Sequence, residues 1–145
     1  MKISLIILIA LSCAITTTAQ QKEETTLDLL KHTVWEHGKP IYGDYRLIYY
    51  TDSTVTIQYE FEGKIEKGTW LFYLTDKEEF SFDRSKIGKV KNGTYYMTTN
   101  ENGFFTSHLI VELTKDKLSV SPIRSMGKFE TNGVPWNYTP LKKEK

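Results

Sequence analysis

The sequence is poor in the residues that build disulfides, thiol sites and metal sites. It contains one cysteine, Cys13, and three histidines, His32, His37 and His108. A single cysteine forms no intramolecular disulfide, and its place near the N-terminus argues against a catalytic thiol. His32 and His37 are five residues apart, which places them on opposite faces of a strand, so we expect no metal site.

The sequence also lacks the common patterns of enzymes. No serine lies in a Gly-x-Ser-x-Gly nucleophile elbow. Two acidic pairs, Glu60 with Glu62 and Glu78 with Glu79, fall on the polar face of a predicted strand and in a predicted loop. We interpret both pairs as solubilising charges, because paired carboxyl groups of a retaining glycosidase lie about 5 Å apart inside a cleft. We therefore expect a non-catalytic protein without a cofactor.

The long apolar stretch of the sequence is at the N-terminus. Lys2 precedes an apolar stretch over residues 3–11, and small residues lead up to Ala19 and Gln20. This order is typical of a secretory signal peptide, and the stretch is too short for a membrane-spanning helix. The sequence therefore predicts a signal peptide over residues 1–19 and export to the periplasm or the extracellular space.

A second processing route is open at Cys13. Ala10, Leu11 and Ser12 precede this cysteine and resemble the box at which bacterial lipoproteins are cut and acylated. This alternative predicts a lipid anchor on Cys13 in the outer membrane. Contact with a membrane is expected only in that case.

Net charge is also nearly absent. The chain has 19 basic and 18 acidic residues, and removal of residues 1–19 takes away Lys2 and no acidic residue. A neutral chain argues against a nucleic-acid partner, which requires a cationic face. Removal of those 19 residues from the chain of 145 leaves enough residues for one hydrophobic core and one domain. We assign residues 20–26 to a flexible tether, 27–141 to the domain and 142–145 to a charged tail.

The clearest pattern in the chain is a β-hairpin over residues 53–74. From Thr54 to Glu62, Val55, Ile57, Tyr59 and Phe61 alternate with polar residues. A short loop, Glu62-Gly63-Lys64, is followed by a second strand, Ile65–Leu74, which carries Trp70, Phe72 and Leu74 on one face. Such alternation is typical of strands with one buried face.

Further strands surround this hairpin. We predict them at 32–37, 45–50, 93–99, 104–114 and 118–123 and within 128–141. Helix is predicted only as short turns, one near Leu27–Leu30 with Thr25 as the cap and one within residues 81–87, ended by Gly88. Seven or eight closely spaced strands favour an antiparallel sandwich or barrel over βαβ units.

The order of these parts resembles that of a small, exported bacterial lipocalin-like protein. A short helical turn at Leu27–Lys31 precedes a first strand with Thr33-Val34-Trp35, and an up-and-down run of strands follows to Leu141. The resemblance implies an all-β fold, an antiparallel up-and-down barrel of about eight strands. It also implies an interior that can hold one small apolar or amphipathic ligand.

The aromatic residues are the candidates for that interior. If Tyr59, Phe61, Trp70 and Phe72 point inward, they either fill a small barrel or line a pocket among a few polar groups. His108 lies on the strand face that carries Phe104, Thr106 and Ile110, and it could reach the mouth of a cavity. We take these four aromatic residues and His108 as the candidate ligand-lining set.

An alternative function is a protein-interaction module with a solid core. In this hypothesis the barrel contacts an envelope protein, as an inhibitor or an immunity protein would. Loop 75–91 is long for a hairpin connection and carries Phe80 and Phe82 among charged residues. These two phenylalanines are the candidate partner contacts.

Overall fold

The strands form one antiparallel sheet that closes on itself. The computed structural model describes residues 23–38, 45–125, 128–129 and 134–142. The elements are α1 (Thr26–Lys31), β1 (Trp35–His37), β2 (Tyr45–Tyr50), β3 (Thr54–Phe61), β4 (Lys64–Thr75), β5 (Tyr95–Thr99), β6 (Phe105–Leu113), β7 (Leu118–Ser125), β8 (Lys128–Phe129) and β9 (Trp136–Pro140), with a 3-10 turn at Arg84–Lys86. No helix in these ranges is long and apolar enough to cross a membrane. Residues 1–22, which include Cys13 and the expected signal peptide, lie outside the described ranges.

The barrel has eight strand positions. Strands β1 to β7 pair with their neighbours in chain order, and β9 pairs with both β7 and β1, which closes the ring. The two-residue β8 pairs with the far end of β7, at Arg124 and Ser125, while β9 pairs with Leu118–Val120. Strands β8 and β9 therefore share the eighth position as two parts of one broken strand. The predicted antiparallel up-and-down barrel is confirmed.

The β3–β4 hairpin is tighter than the sequence suggested. Phe61 pairs with Lys64, so only Glu62 and Gly63 form the loop, and both have positive φ, 49° and 74°. Two such residues in succession match the hairpin turn whose twist follows that of the strands. This turn fixes the register that points Val55 and Ile57 into the barrel.

Helix α1 closes one end of the barrel. Thr25 caps it and forms a reciprocal capping box with Asp28, which supplies partners for the first free N–H groups of the helix. A helix of six residues is stable only through packing, and Leu27 and Leu30 are both buried. The indole N–H of Trp35 donates to the carbonyl of Leu30 at 2.9 Å. The helix is thereby held against the core at this end.

Strand β6 points its less apolar face inward. Thr106, His108 and Ile110 face the interior, while Val111 is 51% exposed. An irregularity in the pairing with β7 between Ile110 and Glu112 leaves Val111 outside the ladder. Leu113 then returns to the core.

The connection between β4 and β5, residues 76–94, packs on the outside of the barrel. We call it the β4–β5 loop. Tyr73 is buried beneath it, and the Tyr73 hydroxyl donates to Glu79 at 2.6 Å. Arg124 Nε donates to Glu78 at 2.9 Å. The interpretation of Glu78 and Glu79 as solubilising charges is therefore wrong, because both carboxylates fasten the loop to the barrel.

Candidate functional site

A cavity of about 320 Å³ lies inside the barrel and is partly open to solvent. Asn100 and Phe104, which flank the β5–β6 turn, border it, and the β3–β4 turn lies at this same end of the antiparallel sheet. Helix α1 lies at the opposite end, where the Leu27 N–H donates to the Lys91 carbonyl. Among the described residues, helix α1 closes one end of the barrel and the cavity opens toward the other, which we call the open end.

Aliphatic and aromatic side chains form most of the cavity wall. Strands β2 to β5 contribute them in the two-residue alternation of each strand: Ile48, Val55, Ile57, Tyr59, Trp70 and Tyr96. Phe104 adds a further ring at the open end, where it is 49% exposed. An apolar wall of this kind is typical of sites for small organic molecules.

Polar groups converge on one side of the wall. Thr98, Asn100, Thr106 and His108 all come from β5, β6 and the turn between them. The His108 ring stacks on Tyr96 with centroids 4.4 Å apart and an interplanar angle of 8°, and its Nε2 lies 3.3 Å from Thr98 Oγ1. These contacts hold the imidazole in one orientation.

The barrel keeps His108 neutral. Burial lowers the pKa of its imidazole to about 3, because the ring has left water without gaining an acidic partner. Burial also raises the pKa of Tyr96, so this phenol keeps its proton at neutral pH. No carboxylate, lysine or arginine lines the cavity among the described residues. The part of the cavity wall that these residues form is therefore uncharged.

The structure brings three of the five candidate ligand-lining residues together. Tyr59, Trp70 and His108 line the cavity. Phe72 is instead 1% exposed and packs against Tyr50 and Tyr96, where it fills the core. Phe61 is the last residue of β3, and its side chain lies outside the described part of the structure.

Several lining residues were not singled out from the sequence. Tyr96 and Thr98 alternate with their neighbours on β5, which is a weak signal that they share a face. Thr106 was placed on the face of His108 but was not taken as a site residue. Asn100 could not be found from periodicity, because it lies beyond the end of β5 in the turn.

A cluster of aromatic and basic side chains lies beside the cavity. The Arg46 guanidinium lies 3.5 Å from the ring centroid of Trp136 and 5.0 Å from that of Tyr59. His37 packs edge-on against Trp136 at 5.1 Å, and its Nδ1 lies 2.6 Å from the Asn137 carbonyl oxygen. Arg46 thus contacts Tyr59, a residue of the cavity wall.

The two candidate partner contacts lie in different surroundings. Phe82, on the β4–β5 loop, packs against Tyr73 of the barrel, with centroids 4.9 Å apart. Phe80 is 64% exposed, and its ring lies 4.4 Å from the Arg124 guanidinium. The loop therefore presents Phe80 to solvent and uses Phe82 as an anchor.

Charged groups also fasten the β4–β5 loop to the barrel. Burial alone would raise the pKa of Glu79, but hydrogen bonds from Lys86 and Tyr73 lower it below its usual value. Burial and the neighbouring Glu79 raise the pKa of the Tyr73 hydroxyl. Glu79 and Lys86 also border a second depression of about 500 Å³ under the loop, where their charges pair with each other.

Within the described ranges, no three His, Cys, Asp or Glu side chains lie close enough to hold a metal ion. The fold and the cavity define the class of this protein as a closed up-and-down β-barrel with an internal cavity. Comparison with protein-family models, curated proteins and solved structures gives no match.

Proposed function

We propose that this protein is an exported, non-catalytic, lipocalin-like barrel that binds one small apolar or amphipathic molecule in the cavity. One observation carries the proposal: the barrel interior contains a cavity in which an apolar wall meets a converging set of polar groups. This combination is the usual form of a small-molecule site. The polar groups orient the ligand, and the apolar wall supplies most of the binding free energy.

The volume of the cavity limits the size of the ligand. An apolar protein cavity of about 150 Å³ is large enough for benzene. The cavity of about 320 Å³ is therefore suited to a molecule of about two fused rings. Larger molecules have to extend past Phe104 into solvent.

The chemistry of the wall supports a binding function without catalysis. The described lining residues include no carboxylate, lysine or cysteine. His108 is the only imidazole among them, and a pKa of about 3 makes it a weak general base at neutral pH.

A cavity-filling substitution tests the proposal. Thr106→Phe places a ring in the cavity, whereas Thr139→Phe makes the same change on the exposed face of β9. We expect naphthalene to bind the wild type and Thr139→Phe equally, and Thr106→Phe at least about tenfold more weakly, measured by isothermal titration calorimetry. Equal binding by all three proteins would contradict a site inside the barrel. Native mass spectrometry of gently purified protein supplies a second test, since a natural ligand adds to the bare protein mass.

Export is part of the proposal and is tested separately. The expected signal peptide and Cys13 lie outside the described residues. The intact mass of the exported protein distinguishes the two routes, because a chain that starts at Gln20 supports signal-peptide cleavage. An acylated chain that starts at Cys13 would instead support the lipid-anchored form.

The second candidate function is contact with an envelope protein through the β4–β5 loop. The exposure of Phe80 favours it, since 64% of a large apolar side chain is in solvent on a loop that is fastened to the barrel. Phe80→Ser should then abolish capture of the partner from an envelope extract. Capture unchanged by this substitution would contradict the candidate.

A further inference from the structure

The two ring nitrogens of His108 lie in different surroundings. Its ring stacks on Tyr96, and its Nε2 lies 3.3 Å from Thr98 Oγ1. Thr98 Oγ1 also lies 3.5 Å from the carbonyl oxygen of Thr106, its pairing partner on β6, and donates its hydrogen there. A hydroxyl that donates to a carbonyl still has lone pairs, so the arrangement that agrees with this contact places the imidazole hydrogen on Nε2, facing Thr98.

This arrangement favours one tautomer of the imidazole. A neutral imidazole carries one N–H, and burial keeps His108 neutral. With the hydrogen on Nε2, the Nδ1 atom of His108 is an acceptor with a free lone pair.

The acceptor faces the cavity. Nδ1 of His108 makes no hydrogen bond to any described residue, and Ser107 Oγ is the one side-chain polar atom in those ranges that is fully buried without a partner. Nδ1 therefore retains accessible surface. Because the His108 ring lies in the cavity wall, that surface opens into the cavity.

We infer that the cavity takes an uncharged molecule that donates a hydrogen bond from an O–H or N–H group to Nδ1 of His108. The inference rests on the proposed binding function and specifies the chemical class of its ligand. Phenols, alcohols and heteroaromatic N–H compounds with a body of about two rings belong to this class. Thr106, which also lines the cavity, lies with His108 on the polar side of the wall.

A matched series of two-ring probes tests the inference. 2-Naphthol carries the donor, 2-methoxynaphthalene replaces it with a methyl ether, and naphthalene has neither. We expect 2-naphthol to bind about tenfold more tightly than the other two, since one additional hydrogen bond inside a largely apolar cavity has an effect of this order. 2-Naphthoate should bind more weakly than 2-naphthol, because no charged side chain lines the cavity in the described residues.

Two variants link the preference to His108. His108→Phe removes the acceptor and should bind 2-naphthol and 2-methoxynaphthalene equally. Thr98→Val removes the group that favours this tautomer and should reduce the preference, which keeps the test available if His108→Phe does not fold. His32→Phe and Thr56→Val are the controls, because they make the same changes away from the cavity. Both controls should keep the preference of the wild type.

The outcomes separate this inference from the proposed function. If naphthalene and 2-methoxynaphthalene bind as tightly as 2-naphthol, the cavity binds ligands but His108 does not select a donor, and the inference fails. Tighter binding of 2-naphthoate would contradict it too and would indicate a contact with Arg46 beside Tyr59. If no probe binds, the proposed function fails with it. Nitrogen NMR of His108 gives an independent readout, since a hydrogen on Nδ1 would overturn the tautomer.

Discussion

At the scale of single residues, His108 couples the cavity to pH. Its pKa is about 3 in the folded protein and about 6.5 in the unfolded chain, so between these values the unfolded state binds the additional proton. The free energy of unfolding therefore falls as pH falls below about 6.5. The loss assigned to this residue between pH 6.5 and pH 5 is about 2 kcal/mol.

The substitution His108→Gln removes this titration. Urea unfolding at pH 6.5 and pH 5 should show a decrease in stability that is about 2 kcal/mol smaller in the variant than in the wild type. His32→Gln, which alters an exposed histidine, should behave as the wild type does. Parallel pH profiles of His108→Gln and the wild type would contradict a buried neutral imidazole.

Tyr73 carries the attachment of the β4–β5 loop. Tyr73→Phe removes the hydroxyl that donates to Glu79 and accepts from the Asp83 N–H at 3.2 Å. We expect the free energy of unfolding to fall by about 2 kcal/mol, because the bond to a carboxylate is lost in a buried setting. Tyr95→Phe is the control, since the Tyr95 hydroxyl makes no hydrogen bond to a described residue and its loss should have almost no effect. Equal effects of the two changes, measured by urea unfolding, would mean that the loop is held in another way.

The sequence identifies individual site residues where they follow a strong period. Tyr59 and Trp70 belong to the alternation of the β3–β4 hairpin, and both line the cavity. The same alternation also selected Phe72, which lies in the packed core. The two-residue period shows which face of the strand a residue is on, but not where it lies along the barrel axis. Thr98 and Thr106 were missed because a threonine reads equally well as a surface residue or a wall residue.

At the scale of elements, two glycines lie where a side chain would meet atoms of β4. A Cβ atom on Gly68 would lie 2.7 Å from Cη2 of Trp70, whose ring covers this glycine. A Cβ atom on Gly93 would lie 2.4 Å from the backbone oxygen of Thr75. A side-chain ring can shift, whereas the backbone of β4 is held by its pairing with β5.

Alanine at these two positions should therefore differ in effect. We expect Gly68→Ala to lower the free energy of unfolding by about 1 kcal/mol and Gly93→Ala by about 3 kcal/mol. Gly68→Ala should also change the tryptophan fluorescence, because the Trp70 ring has to move in the cavity wall. A larger loss in Gly68→Ala, measured by urea unfolding, would mean that Trp70 is fixed more firmly than the backbone at Thr75.

The two phenylalanines of the β4–β5 loop give a second comparison. Phe82→Ser removes a ring that packs on Tyr73 and should lower stability by about 2 kcal/mol. Phe80→Ser removes a largely exposed ring and should lower it by less than about 0.5 kcal/mol. Thermal unfolding of both variants measures this difference. A large loss in Phe80→Ser would show that its ring belongs to the packed part of the loop.

Most strands could be predicted as elements, while the irregular parts could not. β2 was predicted with its observed bounds, Tyr45–Tyr50, because alternation and a following Thr51-Asp52-Ser53 turn define it. The break between β8 and β9 and the bulged position of Val111 depend on pairing with β7. Such tertiary pairing leaves no local pattern in the sequence.

At the scale of the whole molecule, closure of the sheet produces the cavity. Eight strand positions make a barrel whose interior is about wide enough for side chains, so a cavity remains only where the inward residues are small or polar. Helix α1, Trp35 and Phe72 fill the closed half. Thr98 and Thr106 leave space in the open half. The barrel was predicted from the sequence. Whether its interior is filled or hollow depends on how large and small inward residues are distributed along the barrel axis, which the alternation does not give.

The location of a bound probe tests the central claim most directly. Nuclear Overhauser effects between naphthalene and the protein report which rings lie within a few ångströms of the ligand. The account predicts effects to the side chains of Trp70, Tyr96 and Ile57 inside the barrel. Effects confined to Phe80 and its neighbours on the β4–β5 loop would contradict it.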